Sequence, residues 1–189
     1  ECDIAAGVEG TSFSSPAAAG TALLVRDYFA QGFYPDGTSA NPGNAGDQVA
    51  NISGALVKAI LIDSADFMAG INLTRNFRFN NEQGYGRIQL DNALPLENWP
   101  ASTTGLIVAD GGIVGGAGNL SGLDGVINAT ISETDEATFE VCDTDQEMRV
   151  ALAWIEGSGT DLINDLHLEV QSPSGELYWG NYFTDDNNR

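Results

Sequence analysis

Apolar and polar positions along the chain change their rhythm near residue 100. Upstream, the run from Ala17 to Gln31 is apolar on nearly every face, with Ala18, Ala19, Ala22, Leu23, Leu24 and Val25 in succession and Gly20 permitting close approach. This predicts a helix begun by Pro16 in its first turn, where the missing N–H costs nothing, and ended by Gly32 in the left-handed conformation. A helix without a polar face is expected to be buried on all sides. Residues 36–48, "DGTSANPGNAGDQ", are a polar loop. Ser53 is placed to cap a second helix over "GALVKAILIDSADFM", whose Leu56, Ala59, Ile60 and Ile62 follow the helical period only loosely and so also predict deep burial. "QGYGRIQLDNAL" (83–94) is a glycine-punctuated turn into a short strand or helix start, and "LENWPASTTG" reads as a linker.

Beyond the linker the period becomes two. "TFEV", "MRVALAWI", "LHLEV" and "LYWGNYF" predict short strands, and "SPSGE" (172–176) a tight hairpin between the last two. Leu166, Leu168 and Val170 alternate with His167 and Glu169, which puts the histidine on the wet face. Short strands at this spacing predict a β-sandwich. The expected organisation is therefore two units, residues 1–100 and residues 101–189.

Charge sharpens that division. Of 189 residues, 27 are Asp or Glu and 7 are Lys or Arg, a formal net charge of −20. Residues 1–100 hold 11 acids against 5 bases, whereas residues 101–189 hold 16 against 2. Such a field repels phosphate backbones and anionic headgroups, which argues against nucleic acid or an acidic membrane surface as partner. It suits a salty or calcium-rich medium. No apolar run is long enough to cross a bilayer. The opening "ECDIAAGVEG" shows no leader pattern and reads as the inside of a folded sequence, so a mature or cleaved fragment is expected. Cys2 and Cys142 have neither metal-ligand spacing nor a framework pattern, leaving pairing and free thiols both open.

The chemistry concentrates at "EGTSFSSPAAAG". A serine nucleophile needs an exposed Oγ, a base within reach and donors for the developing oxyanion. A serine where a loop enters a helix meets two of these needs, because the first N–H groups of a helix are free and the dipole favours a negative oxygen. The stretch differs from the G-x-S-x-G elbow of α/β-hydrolases, since Ser14 stands two residues after Ser12. The only histidine, His167, belongs to the strand region and is better read as a solvated surface residue than as the base.

Gly10, Thr11, Ser12, Phe13, Ser14, Ser15 and Pro16 resemble, in register, the nucleophile motif of subtilisin-like serine proteases, and a small-residue helix follows as it does there. The segments "SGALVKAILIDSAD" and "NNEQGYGRIQLDNAL" are similar to the end of the catalytic domain in a subgroup with an appended jelly-roll, and "ALAW" and "LINDLHLEVQSPSGELYWGN" resemble strands of that jelly-roll. The resemblance implies an α/β fold, the C-terminal part of a doubly wound parallel-sheet domain over residues 1–100. An antiparallel jelly-roll-like β-sandwich, incomplete at its C-terminus, would follow over residues 101–189.

It implies Ser12 as nucleophile and backbone oxyanion donor, with Gly10, Thr11 and Pro16 supporting the motif. The aspartate, histidine and oxyanion asparagine of the family precede the serine, so they are expected in a complementary chain, the N-terminal portion of the same protease. This chain by itself is then expected to be inactive. The resemblance further implies a secreted, extracellular endopeptidase acting on proteins or peptides, and calcium as cofactor, with Asn164, Asp165 and Asp185 as candidate ligands. Two other readings stand beside it. One is an inactive subtilase serving structure or assembly; the other is an adhesive or carbohydrate-binding β-module.

Overall fold

The computed structural model describes residues 9–38, 48–49, 51–68, 83–99, 105–111, 134–141, 145, 147–159 and 163–182. Its elements run in the order α1 (Thr11–Ala30), α2 (Gly54–Asp63), a 3-10 turn (Leu90–Asn92), β1 (Glu169–Gln171), β2 (Leu177–Trp179) and a second 3-10 turn (Gly180–Tyr182).

The first helix starts earlier than its apolar pattern predicts. It begins at Thr11, and Pro16 lies inside it rather than in its opening turn. Its end follows expectation. Gly32 takes a φ of 78°, and two backbone bonds close the helix, Gly32 N–H to the Phe29 carbonyl at 3.2 Å and Phe33 N–H to the Tyr28 carbonyl at 3.1 Å. That pair of bonds is the Schellman arrangement, and its customary hydrophobic contact is present as Phe33 stacked on Tyr28 with ring centroids 5.7 Å apart. At α2 the Ser53 hydroxyl accepts from the Leu56 N–H at 2.9 Å, the expected cap. This helix stops at Asp63, short of the expected Met68, because the chain turns into an antiparallel bridge between Asp66 and Arg87.

One side of α1 and one side of α2 form the core. Val25, Tyr28 and Phe29 meet Ile52, Leu56, Val57 and Ile60, and Tyr34, Ala93, Leu94 and Val108 close the cluster. Burying each large apolar side chain contributes about 1.5–3 kcal/mol, so this cluster dominates the fold's stability. Loops are fixed to it by specific bonds. The buried Tyr28 hydroxyl donates to the Pro95 carbonyl at 2.9 Å. Gly37, at a φ of 78°, lies so close to Pro95 that a Cβ there would come within 2.6 Å of the Pro95 carbonyl carbon. Residues 105–110 join the same unit, with Val108 in the core and Leu106 against it.

The expectation that α1 is buried all round is not met in this chain. From Thr11 to Gly20 every residue except Ala18 is exposed, and Leu23 and Leu24 are 67% and 61% exposed. Burial follows packing partners, and here only the C-terminal half of the helix has them.

In the strand region the expected hairpin is present. Strand β1 pairs antiparallel with β2 in the register Glu169–Trp179, Val170–Tyr178 and Gln171–Leu177. Gly175, at a φ of 87°, turns the chain between them. Leu166, Leu168 and Val170 are half-buried while His167 and Glu169 are exposed, the predicted alternation. The expected strands "TFEV" and "MRVALAWI" form no ladder among the described residues. A period-two pattern makes a strand only where a partner supplies the hydrogen bonds.

Candidate active site

Ser12 occupies the first turn of α1, directly after Gly10. Gly10 is the N-cap, with a φ of 138° and no side chain to satisfy the helix's first donors. The Phe13 N–H bonds the Gly10 carbonyl at 3.0 Å, and no acidic residue stands in the first turn. The Ser12 N–H therefore belongs to the free donor set at the positive end of a 20-residue helix. Ser12 is exposed, as are Thr11 and Pro16, and its hydroxyl makes no hydrogen bond among the described residues. Proline at position 16 has no N–H to give the Ser12 carbonyl, so the helix ladder is broken opposite the serine. The neighbouring Ser14 is engaged locally, its hydroxyl donating to the Thr11 carbonyl at 3.4 Å.

His167 is placed elsewhere. It is exposed, just before β1, with its Nε2 3.8 Å from an Asp165 oxygen, beyond hydrogen-bond reach. No bond among the described residues joins it to Ser12. The first turn of α1 thus offers an exposed hydroxyl and backbone donors, with no histidine beside them among the described residues.

Of the candidate calcium ligands, Asn164 and Asp165 lie among the described residues. Asn164 is turned to Glu156, its backbone N–H and side-chain amide donating to the two Glu156 oxygens at 3.1 and 3.2 Å. The Trp154 indole N–H donates to the same carboxylate at 2.6 Å. These donors, Trp154 foremost, hold the Glu156 carboxyl below its ordinary range against an opposing effect of burial. Asp185 lies outside the described residues, as do Cys2 and Cys142. No group of three or more His, Cys, Asp or Glu side chains gathers among the described residues. Asn164 and Asp165 alone do not supply the 6–8 oxygen ligands typical of Ca²⁺.

Three residues that matter here escaped the sequence reading. Glu156 ties Trp154 to Asn164, and its only signal is its place two residues after the tryptophan. Asp110 is buried and accepts from the Ser53 N–H at 2.8 Å. Arg149 bonds carbonyls and a carboxylate at the end of α2. Its signal is compositional, since it is the sole lysine or arginine between Arg87 and Arg189.

Against curated proteins, the chain is 30% identical over 182 residues to a Dictyostelium discoideum protein described as a serine protease/ABC transporter B family protein, tagA. The similarity covers 92% of this chain and 9% of that protein, so the chain spans about a tenth of its relative's length. No family profile matches the chain, and no solved structure matches it. The chain is thus similar to a region of a protein described as a serine protease. No helix among the described residues is long and apolar enough to cross a membrane.

Proposed function

We propose that this chain is the nucleophile-bearing part of a secreted, subtilisin-like serine endopeptidase. The observation that carries the reading is Ser12, exposed at the free-donor end of α1 within the seven-residue match Gly10–Pro16. The similarity to a protein described as a serine protease supports it. The doubly wound fold over residues 1–100 and the β-sandwich over residues 101–189 belong to the same proposal.

The reaction divides between this chain and a complementary one, the N-terminal portion of the same protease. Ser12 Oγ attacks the scissile carbonyl carbon of a protein or peptide and gives its proton to a histidine supplied by the complement. The free N–H groups of the α1 start, Ser12's own among them, stabilise the tetrahedral oxyanion together with an asparagine from the complement. Collapse expels the amine, which takes the proton from the histidine. Water then adds to the Ser12 ester and releases the acid product. The uncovered apolar side chains Phe13, Leu23 and Leu24 are where α1 accepts the complement.

The test is a fluorophosphonate probe applied to the native assembly, with the adduct mapped by mass spectrometry. Labelling at Ser12, abolished in Ser12→Ala and absent from the isolated chain, is the expected result. A folded assembly that stays unlabelled overturns the catalytic reading in favour of an inactive fold serving structure or assembly.

A further inference from the structure

Helix α2 carries a charge of the complementary sign at each end, and both charges come from the chain beyond residue 100. The helix is ten residues long, about 15 Å from end to end. At its start the Asp110 carboxylate, 6% exposed, accepts from the N–H of the capping residue Ser53 at 2.8 Å. At its finish the Arg149 guanidinium donates to the Asp63 carbonyl at 3.0 Å and the Ala65 carbonyl at 3.4 Å. Its other terminal nitrogen donates to the Asp66 carboxylate at 2.9 Å. Glu147 completes the shell, accepting from Nε at 3.2 Å and from Nη2 at 3.0 Å. Arg149 is only 15% exposed, and its partners include two main-chain carbonyls as well as carboxylates. An anion at the N-terminal end and a cation at the C-terminal end are the arrangement that the helix dipole favours.

The Arg149 end is also a junction. Immediately after α2 the Asp66 N–H and carbonyl bond the Arg87 carbonyl and N–H at 2.9 and 2.8 Å, joining the helix exit to the glycine-rich 83–87 turn. Gly86, at a φ of 112°, presses against the Asp66 carbonyl with no room for a Cβ. From that same turn the Tyr85 hydroxyl reaches Asn181 Oδ1 at 3.4 Å, just past β2. The acidic downstream region thus spends its one internal cation on the helical unit.

We propose that α2 is a clasp between the two halves of the molecule: Asp110, at the edge of the helical unit, holds its start, and Arg149 grips its finish and docks the downstream region as a fixed brace instead of leaving it on a flexible tether. Arginine suits the Arg149 position because its planar fork reaches two carbonyls and a carboxylate at once, which a lysine ammonium does not.

Hydrogen exchange and NMR relaxation on the full chain test this. Arg149→Met is expected to speed exchange of the last-turn amides of α2 and of the Asp66 and Arg87 amides by about ten-fold or more, equivalent to about 1.4 kcal/mol. Asp110→Asn is expected to speed exchange in the first turn of α2. Glu147→Gln, which removes a charge from the shell without touching the helix, is expected to leave α2 within about two-fold of the parent. Hairpin amides 169–179 are expected to tumble with α2 in the parent and independently of it in Arg149→Met. If Arg149→Met does not fold, Arg149→Lys carries the test, with intermediate acceleration expected. Unchanged α2 exchange in the Arg149 variant, an equal effect of Glu147→Gln, or a hairpin that already tumbles freely in the parent would each overturn the clasp.

Discussion

The helical region and the strand region draw on the same kinds of apolar residue and use them differently. Around α1 and α2, Val25, Phe29, Leu56, Val57 and Ile60 are taken out of water together. Between residues 134 and 182 no described residue is buried, and Phe139, Val141, Ile155, Ile163, Leu177 and Tyr178 lie on the surface. The difference is one of partners. A helix that meets a second helix and its loops closes a core by local packing. A three-residue strand paired with one neighbour has a face and, among the described residues, no further strand to lay it on, and a two-stranded hairpin alone is marginal in water. Even within the helical region the rule holds, since the N-terminal turns of α1 are exposed and no described element covers them.

The contrast can be broken most forcefully at Phe29. Truncating this fully buried ring in Phe29→Ala is expected to cost about 3–5 kcal/mol, read from urea unfolding. A loss below about 1 kcal/mol would mean that the helical region is not the stability core.

Alkaline titration gives the next largest effect. Burial pushes the Tyr34 hydroxyl up to about 12, partly opposed by a hydrogen bond from the Val108 backbone, and burial pushes Tyr28 up further, aided by the nearby Asp36 charge and by Tyr34. The folded state therefore holds these protons more tightly than the unfolded state does. Their contribution to stability is complete below about pH 10, the unfolded value, and is lost as the pH rises from there through about 12. Unfolding free energy should fall over that window, and Tyr34→Phe should flatten the decline. A pH-independent stability between 10 and 12 would contradict the burial of these rings.

The smallest effect belongs to the strand region. Leu177→Ala, at an exposed ladder position, is expected to change stability by no more than about 0.5 kcal/mol. A loss comparable to that of Phe29→Ala would show that the hairpin is packed in solution as firmly as the helical core.

Much of this was legible in residue order, for reasons that are local. Gly32 ends α1 because its left-handed φ is open to glycine, and Phe33 completes that turn by stacking on Tyr28. Ser53 caps α2 because its hydroxyl reaches a donor three residues ahead. The hairpin at residues 172–176 and the inward lean of Leu166, Leu168 and Val170 follow from turn chemistry and period two. Proline is acceptable in an opening turn, so the pattern points to a start at Pro16. The helix instead begins at Thr11, and this places Ser12 in the first turn. Glu156 leaves no mark in the sequence because its partners Trp154 and Asn164 lie on either side of it along the chain and meet at its carboxylate only in the folded structure.

The sequence by itself determined where α1 ends, where α2 is capped and where the hairpin turns, and that the downstream half is far more acidic than the first. Those properties depend on neighbours within a few positions or on composition. Tertiary structure alone decided which part of α1 is dry, that residues 105–110 join the helical core, and that Arg149 and Asp110 meet the two ends of α2. Arg149 lies 86 positions from Asp63 and Asp110 lies 57 from Ser53. Contacts at such separation leave no periodicity in the chain, because they arise from how finished elements pack and not from how each one forms.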